Sequence, residues 1–112
     1  MNRVQLIGVS VLPIELWHDH TTGRTIGEAM IAVPSDVEGF NFIPVILRDS
    51  EAEDAAKYLG EGSKVEIIAH LNSELVTECD AHGESHRRRV LRVIADEVTY
   101  LMLCQPRSGD RP

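Results

Sequence analysis

Basic charge is concentrated in one short segment of this 112-residue chain. Four arginines stand within six residues: Arg87, Arg88, Arg89 and Arg92. If the segment is a strand, alternation puts Arg87 and Arg89 on one side and Arg88 and Arg92 on the other. Guanidinium groups pair with phosphate oxygens, so the segment is a candidate phosphate clamp. The alternative is that some of these arginines pair across a hairpin with the carboxylates that precede them, at positions 74, 78 and 84.

Residues that could stack on a planar ligand are few, because aromatic side chains make up only 4% of the chain. Phe40, Phe42 and Arg48 share the same parity, so in a strand they project from one face. Aromatic rings and guanidinium planes both stack on planar groups. Phe42 has the alternative of packing on an oligomer neighbour. Trp17 lies in a short additional strand, and we interpret it as part of a subunit interface, since an exposed tryptophan favours a partner.

A metal site needs several ligands at suitable spacing, and one segment has three. Cys79, His82 and His86 follow the pattern CxxHxxxH, which could supply zinc ligands. A turn rich in polar residues produces the same spacing without a metal, and a fourth ligand is missing. We therefore expect no metal and no cofactor. No Ser-His-Asp pattern, phosphate loop or paired-carboxylate motif stands out, so we do not expect an enzyme.

Length and charge limit the class of protein. We expect one domain over residues 1–104, followed by a disordered tail at 105–112 that is rich in Pro, Gly, Ser and Arg. The net charge is −7, so nucleic acid would have to bind at a local basic patch. No apolar run approaches a membrane helix, no secretion signal is evident, and two cysteines are too few for a disulfide scaffold. These features favour a cytoplasmic protein.

The hydrophobic pattern predicts strands, one helix and a long hairpin. We expect strands over 4–7, 25–33, 40–47, 64–78 and 87–103. Pro44 lacks a ladder donor, so its strand should be bulged or at an edge there. A capping box over 50–53 predicts the start of a helix that ends at Gly60, where a left-handed residue is favourable. One face of this helix would carry Ala52, Ala55, Ala56 and Leu59.

Four stretches, at 1–8, 42–46, 56–65 and 93–98, occur in an order and at a spacing that resemble a known family. They are similar to the DNA-binding core of the bacterial and phage single-stranded DNA-binding proteins, over roughly residues 1–103. The resemblance implies an all-β fold with one short helix, a five-stranded Greek-key OB-fold barrel with a long β-hairpin. It also implies sequence-independent binding of single-stranded DNA, and we expect an accessory paralogue in replication, repair or recombination. The family assembles through its first strands, so we expect a homo-oligomer, with a tetramer favoured and a dimer possible.

The resemblance also assigns roles to individual residues. The position of Phe42 carries a stacking aromatic in the family, and the position of Arg48 usually carries another. Arg3 and Arg88 match basic family positions, whereas Arg89 stands where an aromatic is common. With the neighbouring residues this gives a predicted DNA-binding set: Arg3, Phe40, Phe42, Arg48, Arg87, Arg88, Arg89 and Arg92.

Other positions depart from the family. Asn72, Glu74 and Val76 stand where basic and aromatic residues are usual, and the Glu74 carboxylate would repel a phosphate. The family's acidic tip is also missing, which indicates either a truncated chain or a paralogue that does not recruit partners in that way. These departures leave a second hypothesis open. The same barrel could be an oligomerisation or protein-interaction module whose DNA-binding face is eroded.

Overall fold

The computed structural model describes residues 1–104, so the predicted tail at 105–112 lies outside the described residues. The elements in chain order are β1 (Val4–Ser10), β2 (Glu15–His18), β3 (Thr25–Pro34), β4 (Phe40–Arg48), α1 (Asp49–Tyr58), β5 (Lys64–Cys79) and β6 (Ser85–Met102). The predicted all-β architecture with one short helix is confirmed. Among the residues described, no helix has the length and hydrophobicity that crossing a membrane requires.

Five of the six strands form a closed ring. The neighbours follow the order β1-β5-β6-β4-β3, and β3 pairs again with β1 at Val9 and Ser10. β4 and β6 run parallel where they meet, at Val45 and Ile46 of β4, and the other pairings are antiparallel. β2 joins the outer edge of β3 as a sixth strand. The predicted five-stranded barrel is therefore confirmed, and closure removes most of the unpaired edges that an open sheet would expose.

The core fills the barrel with branched aliphatic side chains. Its largest fully buried apolar members are Ile31, Val45, Leu47, Val65 and Ile67. Burial of each such side chain stabilises the fold by about 1.5–3 kcal/mol. The helix covers one end of this core with the predicted face, on which Ala52, Ala55 and Leu59 are buried.

Two predictions about the ends of the helix are wrong. α1 begins at Asp49 with Arg48 as the N-cap residue, and no side chain caps it, so the capping box over 50–53 does not form. The chain enters the helix directly from β4 through Asp49, whose φ of 54° makes the turn. At the other end the backbone N–H of Leu59 donates to Ala55, and the left-handed glycine of the connection is Gly62, with φ 89°. Ser50 already lies inside the helix, so it does not occupy the N-cap position.

The β5–β6 hairpin continues beyond the barrel. Burial along β5 stops after Ala69, but its pairing with β6 continues to Cys79 and Ser85. The predicted turn over 80–84 closes the hairpin, and Gly83 takes a φ of 81° there. Asp80 Oδ1 accepts hydrogen bonds from the backbone N–H groups of His82, at 2.8 Å, and Glu84, at 2.9 Å.

Pro44 is accommodated at an edge of the pairing. The β3–β4 register runs without a break past Met30 and Pro44, so no bulge forms. On the other side of β4 the pairing with β6 starts only at Val45. The β6 side of Pro44 is therefore unpaired. Because no strand pairs there, the absence of an N–H group in proline does not remove a hydrogen bond from the sheet.

Candidate nucleic-acid interface

A cleft of about 290 Å³ crosses the outside of the barrel, and we call it the outer cleft. It is lined by Trp17, Ile26, Glu28, Ile46, Asn72, Glu74, Arg92 and Ile94. These residues come from β2, β3, β4, β6 and β5, which are five consecutive neighbours in the sheet. Strand pairing aligns them, since Trp17 pairs with Ile26, and Ile46 pairs with both Glu28 and Ile94. The cleft is thus a product of register across the sheet.

Strand alternation explains why these side chains point outward. Val45 and Leu47 are fully buried, so Ile46 between them faces away from the core. The same parity places Phe42 and Arg48 on this outer face of β4, as the sequence predicts. On β5, Asn72 and Glu74 share the outward parity, which agrees with the predicted departure from the family pattern.

Phe40 and Phe42 lie on the outer face of β4, toward its start. Their side chains are 59% and 61% exposed, and they stand beside Pro34 and Ala32 of β3. Phe42 is four residues from Ile46, or roughly 13 Å along the strand. Exposed rings on the same face as the cleft could extend a stacking surface beyond it. Their contact with DNA stays a prediction.

Arg48 shares a carboxylate with a histidine. Its guanidinium lies 3.8 Å from Asp96 Oδ1, and His70 Nδ1 lies 2.9 Å from both oxygens of the same carboxylate. Asp96 reaches this position because β6 bulges: Ile68 pairs with Glu97 whereas the next residue, Ala69, pairs with Ala95. The Asp96 carboxylate therefore neutralises part of the charge of Arg48, and contact of Arg48 with DNA stays a prediction.

A second recess of about 340 Å³ lies beside this group, at the start of α1. Arg24 and Asp49 face each other across it at 3.9 Å. Burial raises the pKa of the Glu51 carboxyl there, and the nearby Asp96 acts in the same direction while Arg48 opposes it. With acidic groups on several sides, this recess is a poorer place for a phosphate than the arginines alone would suggest.

The four hairpin arginines are divided between two faces, as alternation predicts. Arg88 bonds to Glu78 at 2.7 Å and Arg92 bonds to Glu74 at 3.1 Å, both on the face that continues the outer cleft. The alternative of cross-strand pairing is therefore confirmed for these two. Arg87 and Arg89 stand on the opposite face, where they form no ion pair with any residue between 1 and 104. A single clamp of four arginines on one face is not formed.

Arg3 lies near the base of the hairpin. Its neighbour Asn2 is tied to the backbone of Leu71, donating through Nδ2 at 2.7 Å and accepting through Oδ1 at 2.8 Å. Val4 on its other side pairs with Ala69. These two anchors fix the chain around Arg3 beside β5.

The predicted zinc spacing does not assemble into a site within the described part of the chain. The residues whose potential ligand atoms lie within 4.8 Å of one another are Asp80, Glu84 and His86, and all three are exposed. Cys79 Sγ lies instead 3.9 Å from Ser85 Oγ. The Asp80 carboxylate is engaged in the turn, since it accepts hydrogen bonds from His86 and from the backbone N–H of Glu84. These hydrogen bonds lower the pKa of its carboxyl. We assign no metal to this group.

Trp17 is the cleft residue that the sequence reasoning assigned differently. It is 44% exposed and lines the outer cleft, and its predicted role in a subunit interface stays a prediction. The short hairpin between β2 and β3 indicates this position of Trp17, because its turn fixes the register and places Trp17 beside Ile26. Sequence alone could not show that β5 and β6 would form the opposite wall.

Comparison with solved structures agrees with the barrel. The dimeric structure of the N-terminal domain of PriB protein from Thermoanaerobacter tencongensis superposes with a TM-score of 0.63 at 20% sequence identity. The match covers 89% of this chain and 96% of that domain. At this level of identity the likeness concerns the fold alone, and it supports the OB-fold prediction.

Sequence comparison gives the family. No family model matches the chain. The single-stranded DNA-binding protein of Clostridium tetani is 33% identical over 106 residues, which cover 90% of this chain and 70% of the relative. Single-stranded DNA-binding protein 1 of Clostridium acetobutylicum is 28% identical over 107 residues, covering 90% of this chain and 94% of the relative. On this evidence the chain belongs to the single-stranded DNA-binding protein family.

Proposed function

We propose that this protein binds single-stranded DNA without sequence preference and without catalysis. The observation that carries the proposal is the outer cleft, which runs across five strands and combines Trp17 with Arg92 and apolar walls. Single-strand binding by OB folds relies on such a combination of a stacking aromatic with nearby cationic groups. Membership of the single-stranded DNA-binding protein family supports the same function, and a role in replication, repair or recombination follows as part of the proposal.

The distribution of charged and aromatic side chains indicates weak, salt-sensitive binding of DNA. Each stacked base is worth about 1–3 kcal/mol, and the exposed rings on the cleft side are limited to Trp17, Phe40 and Phe42 within residues 1–104. The remaining attraction comes from arginine–phosphate contacts, which salt weakens by counterion competition. The net charge of −7 adds long-range repulsion that also depends on ionic strength.

Titration with oligothymidine at two salt concentrations tests this function. We expect binding at low salt that weakens steeply as salt rises. A variant with Arg87, Arg88, Arg89 and Arg92 all replaced by Ala should lose the binding. If the parent protein fails to bind at low salt, the proposed function is wrong. If the quadruple variant binds as tightly as the parent, the hairpin arginines do not carry the binding.

Self-association is part of the proposal, with a tetramer favoured and a dimer possible. On one side β1 pairs with β5 along most of its length. On its other side only Val9 and Ser10 pair with β3. The earlier part of β1 therefore has an open edge, and the side chain of Ile7 on this part of β1 is exposed. Open edges and apolar patches favour pairing with a second copy. Light scattering that showed only monomer at roughly tens of micromolar would contradict this assembly.

The alternative function is a protein-interaction module with an eroded DNA face. Two observations favour it: Arg48, Arg88 and Arg92 are each bound to a carboxylate, and the hairpin exposes Leu75 and Leu91. The same titration separates the two functions, because an interaction module would not bind oligothymidine at any salt concentration.

A further inference from the structure

One carboxylate in the outer cleft has no partner among the residues described. Glu28 on β3 is half-buried and lines the cleft, yet it takes part in no hydrogen bond or ion pair within residues 1–104. The neighbouring carboxylate of Glu74 differs, since its Oε2 accepts from Arg92 Nε at 3.1 Å. Half-buried polar groups gain from a hydrogen-bond partner, so Glu28 offers an uncommitted acceptor to a ligand in the cleft.

The position of Glu28 relative to Trp17 is set by strand register. Trp17 pairs with Ile26, and Glu28 is two residues further along β3 on the same face. Diagonal neighbours of this kind are about 7–8 Å apart, a separation that long and aromatic side chains span. A planar group stacked on the indole would therefore present its edge toward the carboxylate.

The size of the cleft suits a small planar ligand. Its volume of about 290 Å³ lies at the lower end of the range for small-molecule pockets. Ile26, Ile46 and Ile94 supply apolar walls, while Arg92 and Asn72 supply donors on the far side from Trp17. A single nucleobase, with a flat apolar face and a polar edge, has the matching chemistry.

The bases differ in what they offer to a carboxylate. An ionised carboxylate only accepts hydrogen bonds. Cytosine, adenine and guanine each carry an exocyclic amino group that donates, and glutamate accepting from cytosine N4 is a known pairing. Thymine carries no amino group, and the oxygens beside its single ring N–H would face the carboxylate unfavourably.

We propose that the outer cleft is a pocket for one nucleobase, in which Trp17 stacks on the base and the Glu28 carboxylate accepts from its exocyclic amino group. The pocket prefers cytosine to thymine, and this preference for one base type adds to binding that requires no particular base sequence. This inference rests on the proposed function, because it names which base the same cleft holds best.

The test uses the single tryptophan of the chain as a reporter, since Trp17 fluorescence should be quenched by a stacked base. Oligocytidine and oligothymidine of about 15 nucleotides, within the usual site size of an OB fold, are titrated into the full chain at the same low salt. We expect oligocytidine to bind at least about fivefold more tightly, equivalent to ~1 kcal/mol. Fluorescence anisotropy of labelled strands measures the same affinities independently of Trp17.

Glu28→Gln provides the decisive variant, because the amide both donates and accepts and should bring the affinity ratio close to one. It should fold normally, since Glu15 lies directly opposite Glu28 and the change relieves a like-charge pair. Glu53→Gln on the exposed side of α1 makes the same charge change away from the cleft and should keep the ratio.

Three outcomes would overturn the inference while leaving DNA binding intact. They are equal affinity for the two strands, a cytosine preference that survives in Glu28→Gln, and binding by anisotropy without quenching of Trp17. Absence of binding by either strand would overturn the proposed function as well, so the two failures are distinguishable.

Discussion

Glu74 on β5 and Arg92 on β6 are joined across the hairpin, with Glu74 Oε2 3.1 Å from Arg92 Nε, on the wall of the outer cleft. The carboxylate that the sequence identified as repulsive to DNA is thus also the partner of an arginine that should attract it. Exposed ion pairs of this kind stabilise a fold by only about 0–1 kcal/mol. A phosphate can therefore compete for Arg92 at modest cost.

Glu74→Gln should strengthen binding of oligothymidine, because it removes a negative charge from the cleft and frees Arg92 for phosphate. One additional phosphate contact should steepen the slope of log affinity against log salt by roughly 0.7. Titrations at several salt concentrations measure this slope. Glu53→Gln is the control for charge alone, and identical behaviour of the two variants would argue against DNA passing along this wall.

Replacement of both Arg87 and Arg89 by Ala should weaken DNA binding without lowering stability. Neither residue forms an ion pair within the described part of the chain, so both are available to phosphates. Loss of two contacts should reduce the salt slope by roughly 1.4. Lys57→Ala combined with Lys64→Ala removes the same charge elsewhere. An unchanged slope in the arginine variant would show that DNA does not reach that face of the hairpin.

Asp96→Asn should also tighten DNA binding, because it releases Arg48 from a carboxylate shared with His70. The gain should disappear when Arg48→Ala is added, which a double-mutant cycle measures directly. Asp54→Asn, on the exposed side of α1, serves as the charge control. A gain that persists without Arg48 would mean that Asp96 repels DNA by itself.

The hairpin turn should depend on the ionisation of Asp80. Its pKa is lowered, first by the His86 hydrogen bond, so the ionised form stabilises the folded turn. That stabilisation is fully present above the ordinary value of 3.8 and is lost as the pH falls through the lower folded value. Amide chemical shifts of His82 and Glu84, followed by NMR, should titrate below pH 3.8. In Asp80→Asn they should not titrate in this range, and a midpoint at or above the ordinary value would contradict the assignment.

Gly8→Ala should destabilise the barrel where it closes. A Cβ at this position would lie 2.4 Å from the carbonyl oxygen of Ala32 and 2.8 Å from Ile31 Cγ2, so β1 and β3 would have to separate. Overpacking of this kind typically costs about 1–3 kcal/mol. Urea denaturation measures the loss, with Gly23→Ala as a comparison that meets no neighbouring atom but has an unfavourable φ of 75°. Wild-type stability in Gly8→Ala would show that the closure tolerates more space.

The strands, the position of the helix, the barrel and the family could all be predicted from the amino-acid sequence. Alternation of apolar residues along β3, β4 and β5 predicts which side of each strand faces the core, because successive side chains of a strand point to opposite faces. The same alternation correctly divided Arg87 and Arg89 from Arg88 and Arg92. The ends of α1 were wrong because the backbone turn at Asp49 depends on how β4 meets the helix rather than on local capping residues.

The contacts between side chains of different strands could not be predicted from the sequence. The pairing of Arg92 with Glu74, the sharing of Asp96 by Arg48 and His70, and the place of Trp17 beside Glu28 all depend on register between strands distant in sequence. A shift by one residue would turn each of these side chains to the other face. The bulge at Asp96 is such a shift, and it brings the Asp96 carboxylate to Arg48.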